Sequence, residues 1–125
     1  AHPDNVGALN LAGYLLADRG ERLDDAERYL RHARELQAGD PSVLDSWGWL
    51  RFKRGDTRGA IRALDHAARY APTEPEILLH LASVWGADRS FAKAAEILDR
   101  ATALRPSADV LRRIAALRST FPPSR

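Results

Sequence analysis

AERYLRHA at residues 26–33, AIRALDHA at 60–67 and AAEILDRA at 94–101 recur at an interval of 34 residues. Each octapeptide opens and closes on alanine and carries leucine at its fifth position: Ala26, Leu30, Ala33; Ala60, Leu64, Ala67; Ala94, Leu98, Ala101. The same step relates Pro41 to Pro75 and Pro72 to Pro106. A fixed period of this size marks a stack of similar supersecondary units.

The segment before each octapeptide has its own helical pattern. In residues 41–54, Val43, Leu44, Trp47 and Leu50 recur at helical spacing. Asp40 suits the N-cap and Pro41 the first helical position. Gly55 can adopt the left-handed conformation that ends this helix, and Asp56 can cap the next. Two helices per unit follow, and small alanines on the second let the backbones approach closely. The spacing predicts seven helices, at about 5–18, 24–37, 41–54, 57–70, 75–87, 91–104 and 108–118, and no strand.

Two local features go against the pattern. Arg89 stands where the earlier units place Gly20 and Gly55, so the third turn is expected to be built differently. The first unit carries one extra residue between Gly20 and Ala26. At the C-terminal end Val110, Leu111, Ile114 and Leu117 form an apolar stripe with Arg112 and Arg113 opposite. Such a helix covers the last unit of a stack, which solenoids require.

The motif resembles the tetratricopeptide repeat, W-x2-L-G-x2-Y followed by A-x3-F and P. Its positions read Leu44, Trp47, Gly48, Arg51, Ala60, Leu64 and Pro72 in the second unit. The third unit reads Leu78, Leu81, Ala82, Trp85, Ala94, Leu98 and Pro106. The first has Leu9, Ala12, Gly13, Leu16, Ala26 and Leu30, with Ala38 in place of the proline. Phrases such as Leu11-Ala12-Gly13-Tyr14 and Ser46-Trp47-Gly48-Trp49 are similar to bacterial members. The resemblance implies an all-α, right-handed solenoid of helical hairpins. Its units would be residues 6–40, 41–74 and 75–108, followed by a capping helix at 109–119 and a tail at 120–125. Residues 1–5 read as the end of a preceding repeat or a linker, and with Ala1 first and no methionine, the chain is expected to be part of a longer array.

Composition narrows the function classes. Hydrophobic residues make up 45% and charged residues 29%, the balance of a folded globular chain. No apolar run approaches a membrane span, and without cysteine neither disulfides nor thiolate metal sites can form. His32 and His66 occupy the same slot of successive units, where the third has Arg100; this is the pattern of a solvated outer helix. No second ligand at metal spacing accompanies His80, and no nucleophile motif or glycine-rich phosphate loop is present. Catalytic residues, metal ligands and cofactors are therefore not expected. Net charge is +2, yet residues 100–125 hold six arginines against Asp109 alone. A basic end of this kind can touch nucleic acid or simply be solvated.

The resemblance implies that the first helix of each unit lines a concave groove for a peptide or protein partner. The candidate groove residues are Asn10, Tyr14, Asp45, Ser46, Trp49, Phe52, Leu79 and His80. Trp47 and Trp85 are expected in the core, leaving Tyr14, Trp49 and Phe52 as surplus aromatic anchors. Asp45 and Glu76 favour a neutral or basic segment with apolar anchors. The family's clamp for acidic tails uses Lys, Asn, Asn, Lys and Arg; here those positions hold Asn10, Tyr14, Ser46, Glu76 and His80, so that activity is not implied. A self-assembling structural array is the alternative role. Nucleic-acid binding ranks last, because the groove stripe has no arginine.

Overall fold

The computed structural model describes residues 4–123. Seven α-helices follow one another: α1 Val6–Arg19, α2 Leu23–Leu36, α3 Pro41–Lys53, α4 Thr57–Tyr70, α5 Pro75–Ala87, α6 Phe91–Ala103 and α7 Ala108–Arg118. Every boundary falls within one residue of the position the 34-residue period predicts, and no strand occurs among the described residues. None of these helices is long and apolar enough to cross a membrane.

Local chemistry sets the ends. Asp40 accepts from the backbone N–H of Ser42 at 2.8 Å and of Val43 at 3.3 Å, with Pro41 opening α3. Asp56 takes Gly59 N–H at 2.9 Å, Asn5 takes Ala8 N–H at 2.9 Å, and Ser107 takes Val110 N–H at 3.2 Å. Each cap satisfies donors that a helix start otherwise leaves unpaired.

The three intra-unit turns are built alike. Gly20 and Gly55 sit at φ 69° and 86°, and Arg89 adopts the same left-handed conformation at φ 65°. In each, the residue after the left-handed one donates to the carbonyl five residues back: Glu21 to Leu16, Asp56 to Arg51 and Ser90 to Trp85. The expectation that Arg89 forces a different turn is therefore corrected. The packing of α5 against α6 holds the same geometry, and Arg89 bears the steric cost of it. The extra residue of the first unit is absorbed by Arg22, also left-handed at φ 48°, whose guanidinium bonds Asp25 at 2.8 Å.

Packing follows the repeat. Ala26, Leu30, Ala33, Ala60, Leu64, Ala67, Ala94, Leu98 and Ala101 have no exposed surface. Each hairpin (α1–α2, α3–α4, α5–α6) pairs tightly, the second helix of a unit meets the first helix of the next, and α1, α3, α5 and α7 lie side by side along one face.

The tryptophans reverse the expected assignment. Trp49 is buried, whereas Trp47 and Trp85 are only half-buried. The reason is that α3 is surrounded: α1, α2, α4 and α5 all contact it, so its inward direction is not one stripe. Val43 and Leu50 fill the side toward its neighbours with no exposure, and Trp49 fills the side toward α1 and α5. Trp47 lies at the rim between α2 and α3, with the guanidinium carbons of Arg34 and Arg51 at 4.4 and 4.8 Å from the ring centre. Lys93 stands over Trp85 in the same manner at 5.4 Å.

Two stability measurements check this account. Trp49→Ala should cost about 3–5 kcal/mol in urea unfolding, and Trp47→Ala only about 1–2 kcal/mol, since its ring is half-buried at the rim and covered partly by arginine side chains. Equal costs would contradict the assigned burial. Arg89→Gly should raise stability by roughly 0.5 kcal/mol: it relieves about 1 kcal/mol of left-handed strain and gives up a weak stacking of Arg89 on Phe91.

Candidate functional site

The concave face collects residues from α1, α3, α5 and α7 by repeat register. Asn10, Asp45, Leu79 and Arg113 occupy one slot, and Tyr14, Trp49, Ser83 and Leu117 another, allowing for the extra residue of the first unit. Each slot repeats one position along the stack, so it draws a line of side chains across the groove.

At the centre is a buried polar chain. Asp45 accepts the Nδ1–H of His80 at 2.8 Å. A carboxylate can only accept, so in the neutral imidazole Nε2 is left as an acceptor, and the Tyr14 hydroxyl, 3.1 Å away, donates to it. Asp45 and His80 are both buried. Trp49 stacks on the His80 ring with centroids 4.5 Å apart, and its Nε1–H donates to Asp18 at 3.0 Å. Phe52 leans on Trp49 at 5.2 Å.

Beside this chain opens a recess of about 340 Å³ lined by Asn10, Tyr14, Ser42, Asp45, Glu76, His80 and Arg113 among others. That volume is at the lower end for ligand sites. Asn10 donates its side-chain N–H to Ser42 Oγ at 3.0 Å. Its carbonyl Oδ1 is buried without a hydrogen-bond partner among the described residues. On the opposite wall Arg113 grips Glu76 with both terminal nitrogens, one at 3.0 Å.

The structure thus brings together six of the eight sequence-derived groove residues around the recess or its floor: Asn10, Tyr14, Asp45, Ser46, Trp49 and His80. Trp49 and Leu79 are buried. They support the groove floor from inside, and Trp49 is not the free anchor it was expected to be. Phe52 lies against Trp49, away from the recess. Sequence reasoning missed Arg113 as a groove residue. Its signal was available, since it stands 34 residues after Leu79, but reading α7 as a cap hid its register as a fourth first helix. Asp18 had no comparable signal.

Burial, then the charges of Asp18, Asp45 and Glu76, push the Tyr14 phenol up to about 12, with Arg113 partly opposing them. Tyr14 is thereby held as a hydroxyl donor and is a poor nucleophile. Among the described residues no three His, Asp or Glu side chains gather as a metal site. His32 reaches Asp4 at 3.3 Å, and the exposed His66 packs on Tyr70; both lie outside this groove.

The raised phenol predicts a pH dependence with a definite sign. Its ordinary value is 10.0, so above pH 10 the unfolded chain releases this proton before the folded one does. Stability is complete below pH 10 and declines as pH rises toward about 12. A tyrosinate absorbance titration should lose its highest-pH step in Tyr14→Phe, and the alkaline loss of stability should shrink with it.

Comparison with known proteins agrees with this architecture. A tetratricopeptide repeat family model matches residues 51–118. The TPR repeat-containing protein PA4667 of Pseudomonas aeruginosa is 40% identical over 79 residues, which is 63% of this chain and 13% of that protein. The chain therefore spans about one-eighth of the length of this relative. With seven helices in hairpin register and the family match over more than half its length, the chain belongs to the tetratricopeptide repeat family, in a bacterial form.

Proposed function

We propose that the concave recess binds a short peptide segment of a partner protein, neutral or basic in charge. Tetratricopeptide repeats generally mediate protein–protein interactions, and members of the family are typically non-enzymatic scaffolds. The observation that carries the finer reading is Asn10 Oδ1, a buried acceptor left without a donor on a side chain that lines the recess. A buried carbonyl without a partner costs on the order of 1–3 kcal/mol. A peptide backbone N–H laid along α1 would relieve that cost, and the Tyr14 edge and Leu11 offer apolar contact in the same recess. Leu79 and Trp49 hold these surfaces from behind, while the bonds among Asp45, His80 and Tyr14 fix the wall of the recess beside Ser46.

Charge sets the preference. Asp18, Asp45 and Glu76 border the groove against Arg113, which Glu76 already pairs, and Lys53 near Trp49. An acidic tail would add negative charge beside three carboxylates that face only two cations; a neutral or basic segment would not. A cofactor or small-molecule substrate plays no part in this reading.

A second reading, assembly into a larger array, has its own observation. Leu11 and Leu15, one turn apart on α1, are 58% and 41% exposed, and another hairpin seated there would cover them. Light scattering separates the two: a self-associating array grows with concentration, and a peptide-binding scaffold does not need to.

The test of the peptide reading is Asn10→Ala, measured against segments selected from a displayed peptide library. Calorimetric affinity should fall about tenfold, or 1.4 kcal/mol, while the melting temperature stays level or rises slightly, since a buried unpaired carbonyl has been removed. A selected peptide that binds the variant equally well would place recognition elsewhere on the molecule.

A further inference from the structure

The side of the stack away from the groove carries a second recess, between α2 and α4. Trp47 forms its floor. Arg34 from α2 and Arg51 from α3 lay their guanidinium groups over the indole, and Arg62 and His66 of α4 make the facing wall. Nothing in the groove chemistry requires this cluster, and it is independent of the peptide reading.

Three observations give it a direction. The first is unsatisfied donors: the Nε–H groups of both Arg34 and Arg51 are buried and find no acceptor among the described residues. Burying a guanidinium N–H without an acceptor is costly. The second is charge. Glu27 is the one carboxylate paired with Arg51, and it is shared with Arg31 and Arg54. Arg34 and Arg62 form no ion pair among the described residues. Asp56 also borders the recess, but its Oδ1 is committed to the Gly59 N–H at the start of α4.

The third is the comparison the repeat itself supplies. One unit later, the slots of Arg34, Trp47, Arg51 and Arg62 hold Ala68, Leu81, Trp85 and Glu96. Ala68 and Leu81 are buried there, so that junction is closed with apolar side chains. Stacking of hairpins therefore does not call for arginine at these positions. Of these two junctions, this one concentrates the cations.

From these we infer that the recess between α2 and α4 binds an oxyanion of the phosphate class. Stacking on Trp47 occupies the faces of the guanidinium groups and limits their rotation, so the edge of Arg34 stays without a protein acceptor while Arg51 spends one terminal N–H on Glu27. Donors arriving from three helices surround a point from several sides, which suits the oxygens of a tetrahedral anion. A planar carboxylate is already served by a single bidentate arginine.

The experiment is an NMR titration of the 125-residue chain that follows the arginine Nε–H resonances. Inorganic phosphate is the probe, with acetate and chloride at matched ionic strength as the other arms. The Arg34 and Arg51 Nε–H signals should shift along a saturable curve with phosphate, reaching half-saturation at low-millimolar concentration or below. Arg34→Gln and Arg62→Gln should each weaken this at least about fivefold. Arg62 is exposed, so its variant keeps the test decisive should Arg34→Gln fail to fold. A linear shift matching that of chloride would overturn the site. So would saturation left unchanged by both variants, and tighter binding of acetate would overturn the phosphate class.

Discussion

The structure depends on how closely the two helices of each hairpin approach. At Gly13 a built Cβ would stand 2.4 Å from Leu30 Cγ, and at Gly48 it would stand 2.7 Å from Leu64 Cγ. The third unit accepts Ala82 in the same slot against Leu98, both fully buried. Leucine on one helix thus seats directly on the backbone of the other, between alanines one heptad apart. Side chains larger than alanine on either side would push the axes apart. Because three hairpins obey the same spacing, they stack in register, and residues 34 positions apart come to lie side by side. Every site on the molecule inherits its geometry from that register.

One consequence is coupling beyond neighbours. A linear repeat array is held chiefly by contacts between adjacent units. Here the Tyr14 hydroxyl of the first unit bonds His80 of the third, and His80 in turn bonds Asp45 of the second. All three units share one buried polar chain, with Trp49 stacked over its middle. A buried network is favourable only when each member is satisfied, so the three first helices hold one another in position. The same chain narrows the surface open to a ligand, because Asp45, Trp49, Leu79 and His80 are largely occupied with each other.

This is also where sequence reading succeeds and fails. The helices, their caps at Asp40 and Asp56, and the left-handed Gly20 and Gly55 follow from period and propensity alone, because each depends on residues a few positions away. The phase of Trp47 and Trp49 does not. Helical periodicity assigns one apolar stripe, but α3 is enclosed by four helices, and which of two tryptophans is buried depends on Tyr14 and His80, distant in sequence. Arg89 shows the converse. Its own preference disfavours the left-handed turn, and the surrounding hairpin imposes the turn nonetheless. Arg113 was within reach of the period, yet it required treating α7 as another first helix, where the apolar stripe alone suggested a lid.

Register also separates what the fold requires from what it permits. Positions that recur in kind across units, the alanines and the seated leucine, are the ones stacking needs. Positions that share a backbone slot but differ in chemistry are free of that requirement. Arg34 and Ala68 face equivalent junctions, as do Arg51 and Trp85, and an apolar side chain satisfies the junction where it occurs. Asn10, Asp45, Leu79 and Arg113 likewise share one slot with four different chemistries. A half-buried arginine or asparagine that carries one buried, unmet hydrogen-bonding atom adds a cost that the alanine or leucine its slot accepts elsewhere does not. The stacking of the hairpins therefore does not account for these side chains, which are set by something other than the register they share.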